Sequence, residues 1–172
     1  MGKISQRRNI RLIMKITIIA VGKIREDWIK NGIAEYQKRL FKFCKFEILE
    51  VTEEQAPENL SPLEIINVKN AEGEKILSKI RQDAYKISLV IDGKQLTSQQ
   101  LAEHISLQAI SGISEIAFII GGSNGLSDEV INQSNLHLSF GKFTYPHQLM
   151  RLILAEQVYR AFKIINREPY HK

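Results

Sequence analysis

A chain of 172 residues, 44% hydrophobic and 25% charged, can bury one globular core, which excludes a fibre or a disordered segment. The formal charge of +5 is local rather than general. Residues 1–13 carry Lys3, Arg7, Arg8 and Arg11 and no acid, and residues 141–172 carry six Lys/Arg against Glu156 and Glu168. The stretch from 14 to 140 holds fourteen Lys/Arg against seventeen acids, so charge alone does not make it a nucleic-acid surface. No run approaches the roughly 18 apolar residues of a membrane span and no secretory block opens the chain, so a cytoplasmic protein with no membrane contact is expected. The lone Cys44 has neither a disulfide partner nor a Cys/His cluster, and no metal is expected.

Met14-Lys-Ile-Thr-Ile-Ile-Ala-Val-Gly22 reads as a natural protein start leading into a buried strand, so the thirteen residues before it are expected to be a leader or upstream start. Residues 27–41 place Ile29, Ile33, Tyr36 and Leu40 on one helical face, and Cys44 to Val51 alternates as a strand. Thr52 to Leu60 is a polar loop with Pro57. Ser61-Pro62-Leu63-Glu64 then predicts a capped helix running to about Asp83. Lys86 to Ile91 is the next strand, Asp92-Gly93 its turn, and Thr97 or Ser98 caps a helix through about Ala109. Ile116 to Ile120 is a short apolar run suited to a strand covered on both faces, followed by Gly121-Gly122-Ser123-Asn124-Gly125. Ser127 caps a short helix, Leu136 to Phe140 forms a fifth strand, and the last helix runs from near Pro146 to about Asn166. Five alternations of strand and helix predict an α/β fold, a mostly parallel sheet of five to six strands with helices on both faces, in residues 14–172.

Ligands in such sheets bind beyond the carboxyl ends of the strands. Three of those ends carry unusual sequence: Leu89 to Gly93, Ile120 to Gly125, and Phe140 to Pro146. The glycine loop is neither a Walker loop nor a dinucleotide fingerprint, since it lacks the Gly-Lys-Ser/Thr ending and the required spacing. Phe140-Gly141-Lys142-Phe143-Thr144-Tyr145-Pro146-His147 combines aromatics with glycine and proline, a composition able to enclose a flat apolar ring. His147 opens the last helix, where it is either a proton acceptor or a locally bonded histidine. That helix carries two apolar stripes, Leu149, Leu152, Tyr159 and Phe162 beside Leu154, Val158, Ala161 and Ile165. The surplus fits either a homodimer contact or deep burial within one chain. The tail Arg167-Glu168-Pro169-Tyr170-His171-Lys172 sets a phenol and an imidazole among cations, as a group that holds an RNA base would.

Taken in order, Ala20-Val21-Gly22-Lys23, Ile120-Gly-Gly-Ser-Asn-Gly-Leu126, Thr144-Tyr-Pro-His-Gln148, Glu156-Gln-Val-Tyr-Arg-Ala161 and Pro169-Tyr-His171 closely resemble the large-subunit ribosomal RNA methyltransferase H family of the SPOUT class. The resemblance spans Met14 to Lys172. It implies a homodimeric methyltransferase with a knotted C-terminal region, which moves a methyl group from S-adenosylmethionine to N3 of a pseudouridine in 23S rRNA within the ribosome or its large subunit. The matching donor-site positions are Leu89, Gly121, Phe140, Gly141, Lys142, Phe143, Thr144 and Tyr145. Gly141 stands where serine is common and Phe143 where methionine is common. His147 and His171 are the expected candidates for taking the N3 proton, and Tyr170 and Arg151 for holding the base or backbone. Rival readings are a SPOUT enzyme acting on another RNA such as tRNA, a non-catalytic ribosome-associated module, and a flavodoxin-like nucleotide-binding protein.

Overall fold

Alternation puts Ile16, Ile18 and Ala20 of β1 (Lys15–Val21) on one face and Ile19 and Val21 on the other, and all five are buried, so helices must cover both sides. A computed structural model describes residues 14–170 and shows how they do so. The expected leader, residues 1–13, and the candidate His171 lie outside the described residues, as does Lys172. Four more strands complete one sheet: β2 (Lys45–Val51), β3 (Tyr85–Gln95), β4 (Glu115–Ile120) and β5 (Leu136–Ser139). Every pairing is parallel, in the order β2-β1-β4-β3-β5. The α/β expectation holds, with five strands among the described residues.

Three helices cover the face of Ile16 and Ile18: α1 (Asp27–Leu40), α3 (Ser98–Ile110) and α5 (His147–Ile165). Their Leu40, Leu101, Ile105, Leu154, Val158 and Phe162 join Ile116 and Phe118 of β4 in one apolar cluster. On the opposite face α2 (Pro62–Ser78) and α4 (Asp128–Gln133) bring Ile76 and Val130 against Ile19, Val21, Ala117 and Ile119. All six residues of β4 are buried, as its unbroken apolar run requires. The last helix lies between α1 and α3, with Leu152 pressed against Gly32 of α1 and Gln157 accepting from Ser98 Oγ at 2.8 Å. No residue of α5 is fully exposed, so packing within the chain takes up much of its apolar surplus.

Local signals set the element ends. Ser61 and Glu64 form the expected capping box with Pro62 in the first turn, Thr97 and Gln100 form a second one, and Ser127 caps α4. Two expectations change. The second helix stops at Ser78 rather than near Asp83, because Arg81 folds back on Asp83 through two hydrogen bonds and Ala84 is drawn into the core. Asp92-Gly93 is not a terminal turn: β3 continues to Gln95, and the register against β5 jumps between Leu89 and Lys94, so the pair forms an irregular bulge. Cys44 lies just before β2, and burial pushes its thiol up to about 12.

Gly73 lies inside α2, where alanine would ordinarily stabilise by about 1 kcal/mol. Here a Cβ would meet Ser127 Oγ at 2.3 Å and Val130 at 3.2 Å. Gly73→Ala is therefore expected to lower stability by about 1–3 kcal/mol in urea unfolding, the reverse of the helix-propensity effect.

Candidate active site

The parallel register carries the ends of β1 and β4 to the same level, with Ala20 beside Ile120, and places the ends of β3 and β5 next to them. The loops leaving β4 and β5 and the bulge of β3 enclose a cavity of about 340 Å³, within the range of small-molecule sites. Its walls are Leu89 to Ile91, Ile120 to Ser123, Gly125, Leu126, Leu138, Phe140, Gly141, Phe143 to Tyr145, His147 and Met150. Apolar side chains and backbone dominate, and among the described residues none of the lining side chains is an acid, a lysine or an arginine.

The glycine turn is tight for a steric reason. A Cβ on Gly121 would lie 2.8 Å from the carbonyl carbon of Gly125, and the turn closes through Gly125 N–H donating to Gly122 O at 3.0 Å. Across the cavity, Ser139 Oγ donates to Ile91 O at 2.7 Å and accepts from Gly141 N–H at 3.1 Å, which ties the exit of β5 to the bulge of β3. Gly141 then turns through φ 107°, a conformation serine rarely adopts, so glycine at this position goes with the loop's own path. Phe143 is 80% exposed at the rim.

Seven of the eight donor-site positions expected from the resemblance therefore meet around one cavity: Leu89, Gly121, Phe140, Gly141, Phe143, Thr144 and Tyr145. Lys142 is in the same loop but its side chain points elsewhere, pairing with Asp92 at 2.8 Å and holding that carboxyl below its ordinary range. His147 lines the cavity at the first turn of α5. Arg151 does not. Its guanidinium is fully buried and donates to Val21 O at 2.7 Å, Gly22 O at 2.9 Å and Glu50 Oε1 at 3.2 Å. Burial lowers its pKa and Glu50 opposes that shift. The group clamps the end of β1 to α5 rather than facing solvent.

Tyr170 packs on the far part of α5. Its hydroxyl donates to Glu156, its ring lies 3.9 Å below the Arg160 guanidinium, and it meets Tyr159 edge-on at 5.6 Å. Burial and the Glu156 carboxylate raise the phenol's pKa. Glu156 and Arg160, four residues apart on α5, pair at 2.5 Å. Sequence reasoning passed over Glu72, a buried carboxylate behind the glycine turn; the available signal was the glycine beside it in a helix interior, which marks a close approach.

A parallel α/β sheet whose last three strand ends enclose an apolar cavity fits the SPOUT methyltransferases, and the chain belongs to that family: the model described as "Predicted SPOUT methyltransferase" matches residues 14–171. Within the class it belongs with the ribosomal RNA large subunit methyltransferase H proteins. It is 55% identical over 159 residues to the relative of that name from Clostridioides difficile (strain 630), covering 92% of this chain and 100% of the relative. The relative of the same name from Latilactobacillus sakei subsp. sakei (strain 23K) is 57% identical with the same coverage. Two solved structures share the fold alone. A probable methylase family protein from Haemophilus influenzae Rd KW20 superposes with a TM-score of 0.51 at 13% identity, covering 93% of this chain and 71% of that one. The tRNA (m1G37) methyltransferase from Aquifex aeolicus gives 0.50 at 17%, covering 92% and 74%. Among the described residues, no helix is long and apolar enough to cross a membrane and no group of His, Cys, Asp or Glu could hold a metal ion.

Proposed function

We propose that this protein transfers the methyl group of S-adenosylmethionine to N3 of a pseudouridine in the 23S rRNA of the large ribosomal subunit. The observation that carries the reading is identity of more than half, over the relatives' whole length and 92% of this chain, to proteins named as large-subunit rRNA methyltransferases, joined to the meeting of the expected donor-site residues at one cavity. The cavity suits the donor. Its apolar walls match a flat adenine, the close-packed glycine turn brings backbone polar groups to the wall, and its volume is that of a small-molecule site.

When bound, S-adenosylmethionine supplies a methyl group already activated by its sulfonium. The chain's part is then to align the transfer, exclude water and accept one proton. Leu89, Gly121, Phe140 and Tyr145 hold the ring, with backbone groups of the Gly141 to Thr144 loop completing the site. His147, at the cavity wall, takes the N3 proton in this reading. Tyr170 is anchored at Glu156, nine residues from His147 and so about 13 Å along the helix axis. A homodimer in which the partner's tail reaches the cavity accounts for that separation, and His171 and Tyr170 would then face the RNA base from across the interface.

Mass mapping of rRNA tests the assignment. Cells lacking this protein should lose one N3-methylated pseudouridine from 23S rRNA, and the expressed chain should restore it. An unchanged modification set, or a methyl group missing from a tRNA instead, overturns it.

A further inference from the structure

Glu72 is a buried acid with no place in the mechanism above. It stands on α2 with 3% exposure. Its Oε1 accepts the Glu54 backbone N–H at 3.0 Å, while Oε2 is shielded from solvent and has no hydrogen-bond partner among the described residues. The surrounding charges do not compensate it. Glu53 and Glu54 repel it, and Lys75, whose charge favours the ionised form, is tied to Glu54 and to Thr52 O. Arg151 is committed to Glu50 and the carbonyls of β1. Burial is the main cause raising the carboxyl's pKa, as expected for an interior acid lacking a counter-ion.

Its position explains what the free oxygen faces. Gly73 lets α2 touch Ser127, and this close approach sets Glu72 directly behind Gly122. A Cβ on Gly122 would fall 3.0 Å from Oε2. Gly122 is cavity wall, so one glycine's thickness separates the uncompensated carboxyl from a cavity whose lining holds no acid, lysine or arginine.

We propose that Glu72 is the counter-charge for the cationic methyl donor, favouring the positively charged S-adenosylmethionine over its uncharged-sulfur product, S-adenosylhomocysteine. The inference rests on the reading of the cavity as a donor site. The two ligands share the adenosine, the ammonium and the carboxylate and differ in the methyl group and its sulfonium charge, so a negative charge behind the wall discriminates between them, and the lining itself holds no acid, lysine or arginine that would do so. In a poorly screened interior, a carboxylate one glycine away from the cavity acts across that distance without touching the ligand. Glu72 is thus a positioning residue: it retains the substrate and releases the product.

Calorimetric titration with each ligand tests it. Glu72→Gln keeps the shape and an oxygen for the Glu54 N–H while removing the charge. S-adenosylmethionine is expected to weaken about tenfold, which is about 1.4 kcal/mol, while S-adenosylhomocysteine changes less than about twofold. A second measurement needs no variant. On the unaltered protein, preference for the cationic ligand should fall as pH is lowered through the carboxyl's raised range, because protonation removes the same charge. Glu53, Glu54 and Lys75 also face this carboxyl, so Glu72→Gln, if folded, should flatten that pH dependence. Equal changes for both ligands, or a preference independent of pH, overturn the role of Glu72 alone. Unaltered protein that binds neither ligand removes the donor-site reading and this inference together.

Discussion

Gly121→Ala is expected to cost about a hundredfold in S-adenosylmethionine affinity, or about 2.8 kcal/mol, in a chain that still folds. The added Cβ meets backbone rather than a yielding side chain: the carbonyl carbon of Gly125 at 2.8 Å and its oxygen at 3.0 Å, with Leu126 at 3.1 Å. The turn can accept it only by opening, which displaces Leu126 and with it one wall of the cavity. Overpacking of this kind costs about 1–3 kcal/mol of stability, which a small domain tolerates. Calorimetry alongside thermal unfolding separates the two effects. A folded variant with unchanged affinity would show that the glycine turn is not part of the donor site.

Arg151→Met should lower stability by about 3–5 kcal/mol, and the melting temperature by about 10 °C, without acting through RNA. The substitution keeps the apolar stem but leaves Val21 O and Gly22 O without the donors that now reach them at 2.7 and 2.9 Å. Glu50 loses a partner too, though it stays half in solvent and still accepts the Ile24 N–H at 3.0 Å. Glu50→Gln should therefore cost far less, about 1 kcal/mol. Urea unfolding of the two variants checks the ordering. If Arg151→Met kept full stability and instead weakened RNA binding, the guanidinium would have to leave its buried position to do so.

The layers of this fold were legible because each element carried its own period. The unbroken run in β4, the two faces of β1 and the capping residues Ser61, Thr97 and Ser127 are local properties, and each matches the structure. Asp92-Gly93 misled because a bulge and a turn have the same local composition, and only pairing with β5 on both sides distinguishes them. The end of α2 was overrun because Lys79 to Asp83 is polar enough for a helix end or a turn, and the decision lay in Ala84 reaching the core. At the site, the glycine turn and the aromatic loop stood out as strand exits. Arg151 could not be placed from sequence, since a helical arginine looks the same whether it faces water or two carbonyls at the end of a distant strand. Glu72 was hidden for a similar reason: its neighbours come from residues 54 and 122, far away along the chain.

The sheet's two margins limit how copies of this molecule can join. β2 lies at one margin with Lys45, Glu47 and Glu50 along its length, and β5 lies at the other with only four residues. Charge on the first and brevity on the second both discourage an incoming strand, two devices by which proteins avoid sheet-to-sheet growth. Both margins of the described sheet thus work against open-ended polymers built by strand addition, and favour contacts between copies through helices and loops.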